Sequence, residues 1–174
     1  YKVKQVALDR EIALKIMSKA LLTDPQFGAR FIREAKIIAK LSHPHIVAVY
    51  DVGVQGDLHY IAMEYVSGGD LKDKLDAGID VEQVLQVTKE IALALDYAHS
   101  KGFIHRDIKP QNIKITPTGQ AILVDLGIAK IVDSNDNRTD TGARGVTPGF
   151  SPPEQYSSTP TTLVSDIYAL GATF

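Results

Sequence analysis

His105-Arg106-Asp107-Ile108-Lys109-Pro110-Gln111-Asn112 packs an acid, two cations and an amide into eight residues. It follows a long helical pattern and precedes an apolar strand pattern, so it is a loop held between two rigid elements, where fixed chemistry is usually placed. Asp107 is able to accept a proton, Lys109 to neutralise an anion, and Asn112 to offer a carbonyl oxygen to a hard cation. Thirteen residues after Asn112, Asp125 closes an apolar strand in Val124-Asp125-Leu126-Gly127 and adds a second oxygen ligand. Two oxygen ligands and a lysine describe a site for metal-bound phosphate. A surface loop with solvated charges accounts for any one of these residues, but not for the ordered set.

The chain has 174 residues, enough for one sizeable core or two small lobes. With 44% hydrophobic and 23% charged residues it reads as an ordinary globular protein. A net charge of -2 and the lack of any basic run argue against a nucleic-acid partner. No cysteine is present, which excludes disulfides and thiolate metal sites. No apolar run approaches the roughly 18 residues of a membrane span, and no signal peptide opens the chain. A cytoplasmic location is expected, with any membrane anchor of the parent protein in a region outside this chain.

Working back from the loop, Ile12 to Met17 reads as a short buried strand carrying Lys15 inside an apolar run. Asp24-Pro25 looks like a helix start, with Asp as N-cap and Pro at the first helical position. From there Phe27, Phe31, Ile38 and Leu41 keep helical spacing, and Glu34 falls on the same stripe. A Lys15–Glu34 ion pair would satisfy two charges that are each costly when buried alone. Ile46 to Val52 and Leu58 to Val66 read as strands around the turn Gly53 to Asp57. His43 and His45 are close in sequence, and a loop-packing role suits them better than metal binding. Ser67-Gly68-Gly69-Asp70 is the best internal boundary, between a strand-rich half and a helical half.

The second half opens with a short helix from Leu71 to Leu75. A long helix follows Asp80 as N-cap, with Gln83 making a capping-box-like pair. Its expected apolar face is Val81, Val84, Leu85, Thr88, Ala92, Leu95 and Ala98, and Gly102 is its stop signal. Beyond the loop, Ile113 to Ile115 and Ala121 to Val124 flank the hairpin turn Thr116 to Gly119. Asp133 to Arg144 is polar and reads as a mobile loop. A proline-stiffened segment from Val146 to Glu154 and an apolar helix start at Ser165 to Gly171 complete the chain.

These motifs, in this order, closely resemble a protein kinase, and most nearly a bacterial serine/threonine kinase of the eukaryotic-like type. The resemblance implies an α+β, bilobal kinase-like fold, truncated at both ends. Its N-lobe (1–66) would be an antiparallel sheet plus one helix lacking the glycine-rich loop, and its partial, mainly helical C-lobe would span 67–174. The hinge would fall at 64–69 and the activation segment at 125–154. Ile12-Ala13-Leu14-Lys15 resembles the strand bearing the ATP-binding lysine, and Glu34 its helix partner. Met63-Glu64-Tyr65-Val66 is similar to the gatekeeper and hinge. His105 to Asn112 resembles the catalytic loop, Asp125-Leu126-Gly127 the metal-binding triplet, Pro152-Pro153-Glu154 the close of the activation segment, and Asp166 the acid anchoring the loop backbone.

The implied reaction moves the γ-phosphoryl group of Mg-ATP (Mn2+ as an alternative) to serine or threonine hydroxyls of proteins. On this reading Asp107, Lys109 and Asn112 are catalytic, and Asn112 and Asp125 hold the metal. Ala13, Lys15, Glu34, Met63, Glu64, Val66, Lys109, Lys114 and Asp125 line the nucleotide. Lys109 and Thr147 suit a serine/threonine rather than a tyrosine kinase. Arg106 beside the acid implies control by activation-loop phosphorylation, with self-phosphorylation in trans at Thr139 or Thr141.

Several features depart from the family pattern. Leu126 replaces the usual phenylalanine and is expected to pack against Ile38, Val49 and His105. Lys114 stands where an apolar side chain normally lies under the adenine, and its stem is expected to serve there with the ammonium in water. Glu154 is expected to lack its usual arginine partner. Truncation is expected to weaken the fragment's own activity. Two other readings compete. A pseudokinase scaffold is disfavoured because Lys15, Glu34, Asp107, Asn112 and Asp125 are all of the competent type. A small metal-dependent hydrolase explains the acids, but not Lys15 and Glu34.

Overall fold

The computed structural model describes residues 1–17, 27–125, 146–157 and 159–174, without the side chains of 27–30 and 34. The expected helix start at Asp24-Pro25, the Glu34 side chain, Leu126, Gly127 and the loop with Thr139 and Thr141 lie outside the described residues. The chain divides into two compact units, 1–42 with 47–65, and 43–46 with 66–174.

Among the described residues, the first unit holds an antiparallel sheet of four strands in the order β1-β2-β4-β3. These are β1 (Lys2–Gln5), β2 (Arg10–Ile16), β3 (Val49–Gln55) and β4 (Leu58–Glu64). β4 lies between β2 and β3, which is why its Ile61 and Ala62 are buried. The β3–β4 turn is tighter than expected: Gln55 pairs with Leu58, leaving only Gly56 and Asp57 between the strands, with Gly56 at φ +58°. That two-residue connection with a positive φ matches the twist of a hairpin. Helix α1 (Phe27–Ile38) buries Phe31, Ala35 and Ile38, and the Phe31 ring meets His59 edge-on at 6.0 Å. Ile46, expected to begin β3, belongs instead to the second unit, where it bridges to Leu123 in parallel.

The second unit is built on α3 (Val81–Ser100), preceded by α2 (Leu71–Ala77). Asp70 and Asp80 cap these helices by accepting the backbone N–H of Asp73 and Gln83. The expected α3 face is corrected. The buried positions are Val87, Ile91, Ala94, Leu95 and Ala98, together with Glu90, while Val81 is 74% and Leu85 65% exposed. Of the expected stripe, Leu95 and Ala98 are buried and Val81 and Leu85 are not, because burial begins only at Val87. Burying Ile91 and Leu95 there contributes about 1.5–3 kcal/mol each.

Strands β5 (Ile113–Ile115) and β6 (Ala121–Leu123) form a hairpin widened on both sides by single bridges. Ile46 lies beside Leu123 and Asp70 beside Lys114. Gly68 is required at this edge, since a Cβ there would sit 1.6 Å from the Ile115 carbonyl oxygen. The buried Glu90 carboxylate ties α3 to this ribbon, accepting the Ala121 N–H at 2.7 Å and the Gln86 amide at 2.5 Å. His43 and His45 pack as expected. His43 stacks on Tyr97 with ring centroids 5.2 Å apart, and His45 Nδ1 lies 2.9 Å from the Ala121 carbonyl. Short α4 (Pro153–Tyr156) and α5 (Leu163–Gly171) follow, α5 opening with a capping box between Thr162 and Ser165.

Candidate active site

The loop begins where α3 stops. Gly102 adopts φ +75°, its N–H returns to His99 O, and the Phe103 N–H returns to Ala98 O. This pair of bonds satisfies the last carbonyls of the helix and turns the chain sharply. The buried Phe103 then carries it to His105, which is fully buried.

Three backbone N–H groups of the loop are held by side chains. The Asp166 carboxylate, itself fully buried on α5, accepts the His105 N–H with Oδ2 and the Arg106 N–H with Oδ1, both at 2.8 Å. His99 Nε2 lies 2.8 Å from the same Oδ2. His105 Nδ1 accepts the Asp107 N–H at 3.2 Å, so the proton resides on Nε2, which faces the Val124 carbonyl at 3.3 Å. Burial pushes this imidazole below its ordinary pKa, against the pull of Asp166, Asp107 and Asp125, and keeps it neutral. Arg106 sits at φ +65°, a conformation that costs a non-glycine residue about 1–2 kcal/mol. The contacts around it sustain that strain.

Asp107 is the centre of a polar cluster. Its Oδ1 accepts the Thr147 hydroxyl at 3.0 Å, while its Oδ2 accepts the Asn112 amide at 2.9 Å and lies 3.2 Å from the Lys109 ammonium. The Asn112 amide also donates to the Asp107 carbonyl at 2.7 Å, and Lys109 donates to Thr147 Oγ1 at 3.4 Å. Three sequence-predicted residues thus come together around the carboxylate of a fourth. Asn112 ends a 3-10 turn begun by Pro110, and its carbonyl accepts the Val124 N–H at 2.8 Å. Val124 is therefore pinned by both Asn112 and His105, which sets Asp125 beside the start of β5. Asp125 leaves the strand at φ +57°, in the left-handed region that Asp tolerates better than most residues.

The remaining predicted residues are placed as follows. Ala13 and Lys15 lie on β2, and Met63 and Glu64 on β4, with Ala13 paired to Met63 and Lys15 to Ile61. Val66 belongs to the second unit, and Glu34 lies on α1. Lys114 departs from expectation, because its ammonium sits on Asp70 Oδ2 at 3.2 Å rather than in water alone. Burial alone would raise the Asp70 carboxyl, but the Asp73 N–H and the Lys114 ammonium together hold it below the usual carboxylate range. Glu154 accepts the Ser165 hydroxyl at 2.5 Å.

Sequence reading missed three contributors. His99 is a polar side chain on the buried end of α3, a signal visible in the pattern beside Ala98. Gln155, whose amide donates to the Arg106 carbonyl at 2.8 Å, and Thr161, whose hydroxyl accepts from Arg106 Nε at 2.8 Å, lie 49 and 55 residues away and carry no local signal.

The donor chemistry suits a hard divalent cation. Asn112 commits its amide nitrogen to Asp107 and so has a carbonyl oxygen to offer, and Asp125 supplies a carboxylate. Among the described residues no group of three or more acidic or imidazole side chains forms a metal cage. One carboxylate and one amide fit a cation that takes its other ligands from phosphate and water. No helix among the described residues is long and apolar enough to cross a membrane.

Known proteins resemble the chain over nearly its whole length. PrkC, a serine/threonine-protein kinase of Bacillus subtilis, is 39% identical over 98% of this chain and 26% of its own length. A probable serine/threonine-protein kinase of Clostridium perfringens is 41% identical over 98% of this chain and 25% of its own. The chain spans about a quarter of the length of these relatives. The crystal structure of the Mycobacterium tuberculosis PknI kinase domain superposes with a TM-score of 0.77 at 33% identity, over 99% of this chain and 64% of that one. The protein kinase domain family matches residues 1–174, end to end. An acid gripped by a lysine, an asparagine and a threonine, in a loop hung from a buried aspartate, therefore sits in a chain that belongs to the protein kinase family.

Proposed function

We propose that the protein transfers the γ-phosphoryl group of ATP, with Mg2+ or Mn2+, to serine or threonine hydroxyls of proteins, including its own. The observation that carries this reading is the arrangement at Asp107. Its carboxylate is oriented by three donors, from Thr147, Asn112 and Lys109. Phosphoryl transfer asks little covalent chemistry of a protein and depends on positioning and charge. Asp107 orients the acceptor hydroxyl and takes its proton. Lys109, 3.2 Å from that acid, neutralises charge developing on the transferred group. The metal, when bound through Asn112 and Asp125, supplies charge neutralisation for the phosphates.

Lys15, with Glu34, is assigned to the nucleotide phosphates. The backbone of 64–69 is assigned to the adenine edge, with Ala13, Met63, Val66 and Lys114 lining the base. The segment 125–154 is proposed as the activation segment, with Thr139 and Thr141 as acceptors of self-phosphorylation. Dependence on ATP assigns the domain to the cytoplasm.

The test is phosphate incorporation from labelled Mg-ATP into the full-length protein and a generic protein substrate, with and without Asp107→Asn. A loss of about 10²–10⁴-fold in the variant, with nucleotide still bound, is expected for removal of the acid. A well-folded protein that binds ATP but transfers nothing would favour a scaffold instead.

A further inference from the structure

Arg106 and Asp107 are joined by one peptide group, and both of its polar atoms are held. The carbonyl oxygen accepts the Gln155 amide at 2.8 Å, and the N–H donates to His105 Nδ1 at 3.2 Å. Gln155 lies in α4, which is entered through Pro152-Pro153, so the fixed φ of two prolines stiffens its approach. Eight residues earlier in the same segment, Thr147 donates to the Asp107 carboxylate at 3.0 Å. Thr147 is itself set in a turn. Its N–H donates to the Ser151 hydroxyl at 2.8 Å, and its carbonyl accepts the Phe150 and Ser151 N–H groups at 3.1 and 3.0 Å.

We infer that the segment from Thr147 to Gln155 is a two-point grip on Asp107, with Thr147 orienting the carboxylate and Gln155 the peptide plane that carries it. Gln155 is a positioning residue, for it acts through the Arg106 carbonyl and reaches no reacting atom. Thr161 is the outer anchor, because its hydroxyl accepts from Arg106 Nε at 2.8 Å and so fixes the side chain whose backbone Gln155 holds. A residue at φ +65° returns to the right-handed region when its contacts are removed, and that rotation would swing the Asp107 carboxylate away from its donors. The grip also explains a choice of residue. Only a side chain with an N–H donor on a long stem, reaching back from a first helical turn, meets that carbonyl.

The inference rests on the kinase reading, and its test separates the two. In the full-length protein, Gln155→Met removes the donor at nearly constant length, and Gln155→Lys keeps a donor. The expected result for Gln155→Met is a fall of about tenfold in kcat with the nucleotide Kd and the melting temperature unchanged, as for a small misplacement of a catalytic group. Gln155→Lys restores most of the rate. Amide hydrogen exchange at Asp107 rises in Gln155→Met and gives a readout independent of turnover. An active protein in which neither kcat nor exchange responds to Gln155→Met overturns the grip, as does a nucleotide Kd that weakens in step with kcat. Faster exchange in a protein that transfers no phosphate would sink the kinase reading and leave the grip standing.

Discussion

The Thr147 hydroxyl donates to Asp107 Oδ1 at 3.0 Å, across forty residues of chain, while Lys109 and Asn112 occupy Oδ2. The two carboxylate oxygens are thereby distinguished, one by a neutral hydroxyl and the other by a cation and an amide. Each oxygen is thus oriented by its own donors, and removing the hydroxyl leaves the orientation of the carboxylate to the donors on Oδ2.

Thr147→Val keeps the shape and loses this hydroxyl. Stability should fall by no more than about 1 kcal/mol, the worth of one hydrogen bond, whereas kcat should fall by roughly tenfold through lost orientation. Urea unfolding beside steady-state kinetics reads both. An unchanged kcat would mean that Lys109 and Asn112 suffice to hold Asp107.

Asp166→Asn should destabilise the second unit by about 2–4 kcal/mol, because the buried carboxylate accepts three donors and an amide turns an NH2 toward one of them. Denaturant midpoints for the two proteins check this. A change below the error of the midpoints would show that the loop amides find other acceptors.

The pH dependence of stability has a definite sign. The folded pKa of His105 lies below its unfolded value of 6.5, so below that pH the unfolded chain binds the proton more readily. Stability should be fully present above pH 6.5 and decline as the pH falls toward the folded value, by up to about 1.4 kcal/mol per pH unit. His43, lowered by burial and by neighbouring His45, adds in the same direction. In His105→Phe the curve should be lower but flatter between pH 7 and 5. Urea titrations across that range decide it, and an equally steep curve would remove His105 from the account.

Gly68→Ala and Gly56→Ala should part company. The first places a Cβ against a backbone carbonyl that cannot swing aside and should cost more than about 2 kcal/mol. The second meets open space and bears only the strain of φ +58°, about 1–2 kcal/mol. Equal melting temperatures for the two variants would refute the close approach at Gly68.

The sequence made the chemistry legible where it is local. Asp107, Lys109 and Asn112 lie within six residues, and their spacing alone joins them. The contacts that hold Arg106 were illegible, because Gln155 and Thr161 touch a backbone oxygen and a guanidinium nitrogen, and no residue type marks a partner for either. In α3 the period was visible and the extent of burial was not. Val81 and Leu85 are as apolar as Leu95, and only the placement of β6 and α5 decides which turns are covered. Lys114 was read by its stem, and its ammonium found an acid 44 residues away that also caps a helix.

The separation between Asp166 and the amides it accepts, 61 residues from His105 and 60 from Arg106, fixes when the site is born. On the ribosome the whole His105–Asn112 motif is made, and its nearest donors can gather, long before residue 166 has left the exit tunnel. Until then the Arg106 N–H lacks the Asp166 carboxylate that accepts it, and the left-handed turn lacks one of its holds. The nascent protein therefore carries its chemistry in an unset form, and maturation of the site is timed by the arrival of α5.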